Sequence, residues 1–256
     1  MLELKNICSG YGKKQVLNNL SVFFKKGTIT SIIGPNGCGK STLLKTAMNI
    51  INITDGEVYT DEKDIKTLSR TQVARKIAYL PQEKKIPDMT AGQTVLHGRF
   101  PHLNYPRRYS ENDIKIAISA MEMLKIEELS QIPMASLSGG MRQNVYIAMA
   151  LAQDTDYILL DEPTTYLDIA NRLKLMDLLK VLANEGKGIV CVLHDLTLAM
   201  EYSDSVVVMD DGRIVAHKSP YEIYKDDVIN SVFGIRLKRF EAENGFKYYC
   251  EKQVEA

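Results

Sequence analysis

Eight residues, Gly34-Pro35-Asn36-Gly37-Cys38-Gly39-Lys40-Ser41, have the types and spacing to hold a chain of phosphates. Glycines let backbone N–H groups converge on one point without side chains in the way. A helix opening at Lys40 aims the positive end of its dipole at that point. Lys40 is then expected to reach the outer phosphates, and Ser41, followed by Thr42, to place its hydroxyl on Mg²⁺. The second set is Asp161-Glu162, two acids ending the apolar run Ile158-Leu159-Leu160. Asp161 is expected to hold Mg²⁺ through its water shell. Glu162 points the other way along the strand, placed to polarise an attacking water. One isolated acid there would be a solvated strand end; paired with an upstream phosphate loop, two acids read as a site. A phosphate loop alone does not choose between kinase, GTPase and ATPase.

The elements that must position these residues are legible in the pattern. Ile29, Ile32 and Ile33 form a strand before the loop; Leu43, Leu44 and Ala47 mark a helix after it. Upstream, Leu2, Leu4 and Ile7 alternate as a strand, and Val16 to Phe24 form a second. Asp55-Gly56 reads as a turn before a strand at Glu57 to Thr60, and Ile77 to Leu80 is a short strand ended by Pro81. Residues from about 83 to 140 read as a helical lobe inserted in the core. In it Ser110 caps a helix to about Leu124, with Asp113 in a capping-box position and Ile114, Ala117, Ile118 and Met121 as its apolar stripe. A helix from about Met141 to Ala152 precedes the buried strand Tyr157 to Leu160. A helix from Ala170 to Glu185 precedes the strand Gly188 to Leu193. Near-continuous apolar strands suit a parallel sheet covered on both faces. A hairpin turns at Asp211-Gly212, and a small terminal one, about 236–252, around Asn244-Gly245. The fold class is α/β, a mostly parallel sheet with an antiparallel N-terminal β part.

At 256 residues the chain can bury one large core. Lys+Arg and Asp+Glu both number 32, and a zero net charge argues against a nucleic-acid partner. Cys8, Cys38, Cys191 and Cys250 lack zinc or disulfide spacing, which fits a reducing compartment. The first residues lack a signal-peptide layout, and no apolar run approaches the ~20 residues that cross a bilayer. The expectation is a soluble, intracellular protein that reaches a membrane only through a partner.

Between the two sites, Leu137-Ser138-Gly139-Gly140-Met141-Arg142-Gln143 runs into a helix. A serine and two glycines at a helix N-terminus make a second anion site, and one phosphate chain does not need two from the same subunit. LSGG with its helix, between a phosphate loop and Asp161-Glu162, resembles the ATPase subunit of ABC transporters over nearly the whole chain. The resemblance implies one ABC ATPase domain over 1–256, a P-loop NTPase core plus the helical lobe, with ATP and Mg²⁺ as cofactors. It also implies a head-to-tail homodimer, each ATP lying between the Lys40 loop and the partner's Ser138, Gly139 and Gly140.

Other family positions match one at a time. Tyr11 matches the aromatic that stacks on adenine, and Gln82 the glutamine that senses Mg²⁺ and the attacking water. His194 matches the switch histidine that contacts the γ-phosphate, and Asp168 the loop crossing the dimer interface. Met141 stands where many members carry Gln or Glu, which removes a polar contact near the partner's nucleotide. Gly98-Arg99-Phe100-Pro101-His102, IAMALAQDT (147–155) and DEPTTYLDIA (161–170) are similar to importers of iron-siderophores, haem and cobalamin. Asn171-Arg172 departs from the His-Gln often seen there. The implied partners are membrane permease subunits and, indirectly, a substrate-binding protein, at the cytoplasmic face of the membrane. The stretch around Arg99, Phe100, Tyr105, Arg107 and Arg108 is the candidate permease contact, although composition alone favours a solvated loop. Two other readings stay open: a non-transport ABC ATPase such as an iron–sulfur assembly ATPase, and a nucleotide-gated binding module with little turnover.

Overall fold

A computed structural model describes residues 1–242 and 245–252. The chain runs β1 (Leu2–Tyr11), β2 (Lys14–Phe24), β3 (Ile29–Ile33), α1 (Lys40–Ala47), β4 (Ile53–Thr60), β5 (Lys63–Asp64), α2 (Arg70–Ala74) and β6 (Ile77–Leu80). Three helices follow, α3 (Ala91–His97), α4 (Glu111–Met123) and α5 (Gly139–Ala152). Alternation resumes with β7 (Tyr157–Asp161), α6 (Ile169–Asn184), β8 (Gly188–Val192), α7 (Leu196–Tyr202), β9 (Ser205–Asp210) and β10 (Arg213–Lys218). Helices α8 (Pro220–Lys225) and α9 (Val228–Phe233) lead to the hairpin β11 (Ile235–Ala242) and β12 (Gly245–Lys252). Its strands pair antiparallel from Ile235↔Lys252 to Ala242↔Gly245; Asn244, expected at its turn, lies outside the described residues.

The central sheet has the order β10-β9-β3-β8-β7-β6 and is parallel except for the β9–β10 hairpin. Every residue of β3, β7 and β8 is buried, as strands covered on both faces require. A second sheet, β2-β1-β4-β5, is antiparallel. Leu4, Leu17, Val58 and Phe24 from it close over α1 and one face of the central sheet. On the other face, α5 and α6 share one core with α3 and α4.

Three local expectations need correction. Asp55-Gly56 is not a turn before a strand; it lies inside β4, opposite the register shift between Lys5 and Cys8 in β1. Gly56 has φ +88°, and a Cβ there would lie 2.4 Å from the Lys5 carbonyl oxygen, so the glycine makes a β-bulge.

The apolar stripe of α4 is rotated from the expected one. Asp113, Ala117, Ala120 and Met121 are buried, whereas Ile114 and Ile118 are 45% and 48% exposed. Asp113 sets this rotation, because its carboxylate accepts from Arg99 Nε (3.0 Å) beneath the helix. Small alanines then face the neighbouring helices.

Arg99 itself is not a permease contact. It is 6% exposed, and its second donor goes to the Ala152 carbonyl (3.0 Å). Of the aromatic and arginine stretch, Phe100 and Tyr105 remain exposed, with the Arg107 guanidinium over the Phe100 ring.

Candidate active site

The register of the central sheet decides what meets what. Ile32 pairs with Val192, Val192 with Asp161, and Leu160 with Leu80. The residues just beyond these strand ends are therefore neighbours: the phosphate loop after β3, His194 after β8, Glu162 after β7 and Gln82 after β6. In open α/β sheets ligands gather at this edge.

The loop bends back through Gly39, whose φ of +106° would strain a side chain there, and α1 starts at the next residue. Lys40 is 6% exposed; its ammonium donates to the carbonyls of Gly34 (2.8 Å) and Pro35 (2.9 Å). The charge thus sits over the loop of Gly34, Pro35, Asn36, Gly37 and Cys38. Burial pushes the Cys38 thiol up, opposed by the charge of Lys40. Thr42 is buried in the first turn of α1.

Ser41 Oγ donates to one oxygen of Asp161 (3.0 Å), and the Tyr79 hydroxyl donates to the other (3.3 Å). Asp161 is 1% exposed. Burial pushes its carboxyl up; the Ser41 bond opposes this and the neighbouring Glu162 charge adds to it. Burial also pushes the Tyr79 phenol up, assisted by Asp161, so it stays a donor. One carboxylate and one hydroxyl beside a phosphate loop form an all-oxygen donor set. That suits Mg²⁺, which takes one or two carboxylates and completes its shell with water and substrate phosphates. Among the described residues no cluster of three His, Cys, Asp or Glu side chains could hold a metal without such help.

Glu162 has φ +54°, an uncommon backbone for a non-glycine residue and one found at functional sites. Its Oε1 lies 2.6 Å from His194 Nε2, and Thr165 Oγ1 donates to its Oε2 (3.4 Å). The glutamate is largely enclosed while His194 is half exposed. Gln82 is exposed on the loop after β6 and lines a cavity of about 560 Å³ with Lys84, Gly139, Arg142, Gln143, Thr165 and others. Burial pushes the Lys84 ammonium down to about 8, with Asp161's charge pulling the other way. Tyr11 closes β1 half-exposed.

Gly139 reaches the wall of the Gln82 cavity, but Ser138, Gly139 and Gly140 stay apart from the phosphate loop. Ser138 caps α5, accepting from the Met141 N–H (3.3 Å), and Gly139 lies against the Tyr166 ring. Among the described residues no hydrogen bond links Ser138, Gly139 or Gly140 to residues 34–42. Asp168 caps α6, its carboxylate accepting from the Asn171 backbone (2.8 Å) and side chain (3.0 Å). Met141 is exposed beside Ser138.

The ABC transporter family profile matches residues 17–165, from β2 through both acids. The chain belongs to this family. As an ABC cassette it binds nucleotide and is an ATPase. The petrobactin import ATP-binding protein FpuD of Bacillus anthracis is 40% identical over 234 residues, 91% of this chain and 86% of that protein. The iron(3+)-hydroxamate import ATP-binding protein FhuC of Bacillus subtilis is 40% identical over 236 residues, 91% of this chain and 88% of that one. The solved dimeric, post-hydrolysis state of the ATP-binding cassette MJ0796, bound to ADP and phosphate, superposes with a TM-score of 0.76. It is 31% identical, covering 86% of this chain and 99% of that one.

Sequence reasoning missed four side chains around this site. Tyr79 stands two residues before Pro81, on the alternate face of β6, where an aromatic passes for core. Thr165 is one of two adjacent threonines after the acids. Gln143 is a polar residue on the buried face of α5, a signal that was legible. Lys84, its partner, looked like one of two surface lysines.

Proposed function

We propose that this cassette is the ATP-binding subunit of an importer for an iron–siderophore complex. Two copies close head to tail around two ATP molecules and drive a separate membrane permease supplied by a substrate-binding protein. The subunit lies peripherally on the cytoplasmic face of the membrane, its helical lobe (83–140) towards the permease. Among the described residues no helix is long and apolar enough to cross a membrane. The siderophore class rests on relatives named for petrobactin and iron(3+)-hydroxamate import.

The observation that carries the mechanism is the delivery of Lys40, Ser41, Asp161, Glu162 and His194 to one sheet edge, with Glu162 on His194 at 2.6 Å. Ser41 and Asp161, with Gln82, would hold Mg²⁺, which when bound neutralises charge on the outer phosphate oxygens. Lys40 leaves two neutral carbonyls for the triphosphate, a stronger charge-assisted bond. Tyr11 stacks on the adenine, and Ser138, Gly139 and Gly140 with Asp168 serve the opposite subunit. Glu162 accepts a proton from water as the water oxygen attacks the γ-phosphorus and the bond to the leaving ADP breaks. His194 fixes the orientation of that carboxylate.

Glu162→Gln keeps the shape and removes the base. Phosphate release is expected to fall by a factor on the order of 10²–10⁴, with ATP affinity retained. Release at the parent rate would remove Glu162 from its role. Uptake of ferric siderophores, compared with haem and cobalamin, in a strain lacking this gene tests the substrate class.

A further inference from the structure

We propose that Lys84 is a positioning residue for ATP hydrolysis: through Gln143 it holds the Gln82 loop at a fixed separation from the backbone that follows Glu162. The proposal rests on the roles assigned to Gln82 and Glu162 above.

The loop from Gln82 to Ile86 belongs to no helix or strand, so its placement depends on side-chain anchors. Lys84 Nζ donates to Gln143 Oε1 at 2.9 Å and reaches back to the Gln82 carbonyl at 3.5 Å. The same ammonium lies over the Tyr146 ring, 5.3 Å from its centroid, and the Tyr146 hydroxyl donates to the Lys85 carbonyl at 3.0 Å. Three contacts therefore pin the loop to one face of α5.

Gln143 carries the connection onward. It is 3% exposed, and its Nε2 donates to the Pro163 carbonyl at 2.7 Å, one residue past Glu162. A planar amide with one acceptor and one donor satisfied from opposite sides has a single orientation. Without Lys84, a buried Oε1 loses its donor, and the amide is free to turn away from Pro163. The cavity beside the bridge, with Thr165 and Tyr166 in its wall, gives the released loop room to move. No carboxylate lies within 4.0 Å of the Lys84 ammonium among the described residues. It is partly buried for neutral acceptors and a ring, an arrangement that serves geometry better than charge pairing.

The test uses the purified full chain with Lys84→Met, which keeps the apolar stem, and Lys84→Arg, which restores a donor. Steady-state phosphate release against ATP concentration is expected to show kcat lower by about tenfold in Lys84→Met, with KM within about twofold. The melting temperature is expected to stay near the parent value, and Lys84→Arg to recover at least half of kcat. Should Lys84→Met fail to fold, Lys84→Gln carries the same readout. A parent kcat in Lys84→Met, or a loss that Lys84→Arg does not relieve, overturns the bridge. Glu162→Gln measured alongside separates the two claims. An active Glu162→Gln sinks the site assignment, while a dead Glu162→Gln with a fully active Lys84→Met sinks the bridge alone.

Discussion

Arg99 shows how far one side chain depends on elements distant in sequence. Beside Phe100 and Pro101 it reads as a surface group, yet it is buried between Asp113 and the end of α5. Removing one partner of a buried pair leaves the other charge uncompensated. Arg99→Ala is expected to destabilise the fold by about 3–5 kcal/mol in urea denaturation, and Arg99→Lys by less. A loss under about 1 kcal/mol would return Arg99 to the surface role. The placing of Lys40, Ser41, Asp161, Glu162 and His194 at strand ends was legible, because each follows or closes an apolar run of strand length. Arg99 was placed in a surface contact, and the partners of Arg99, Lys84 and Gln143 were not read, because they lie 14, 59 and 20 residues away. Spacing within one element says nothing about such pairs.

At the scale of an element, the first turn of α4 joins a cap to a buried ion pair. The Ser110 side chain and backbone N–H, then Arg99, hold the Asp113 carboxyl down at about 2 against the effect of burial. Its ordinary value is 3.8, so the unfolded chain takes up the proton first as pH falls. The stabilisation is complete above pH 4–5 and is lost as pH falls through 3.8 towards 2. Denaturation midpoints of the parent and Asp113→Asn are expected to differ at pH 7, and the difference is expected to shrink steadily below pH 4 and to vanish only below about pH 2. A difference independent of pH would contradict the assignment. The capping box was legible from Ser110 and Asp113 alone; the buried face was not. Ile114 and Ile118 fit the helical period as well as Ala117 and Met121 do, and only the inward pull on Asp113 chooses between them. Likewise Asp55-Gly56 has turn composition, but a bulge against β1 uses the same positive φ.

Across the whole molecule, the strand order β3-β8-β7-β6 was not readable from sequence, yet it assembles the site by placing the His194 strand between the loop strand and the acid strand. The alternation of apolar strands and helices announced a parallel sheet but left its order open. The LSGG segment keeps a separate place, against Tyr166, itself largely exposed, as is Ile169 at the start of α6. The proposed anion site at Ser138, which makes no hydrogen bond to its own phosphate loop, is compatible with the proposed nucleotide held by a second copy. The structure of Glu162→Gln loaded with Mg·ATP tests this most directly. Each Ser138 hydroxyl is expected within about 3.5 Å of a γ-phosphate oxygen held by the other copy's Lys40 loop. A loaded protein in which every Ser138 stands clear of all triphosphates would contradict it.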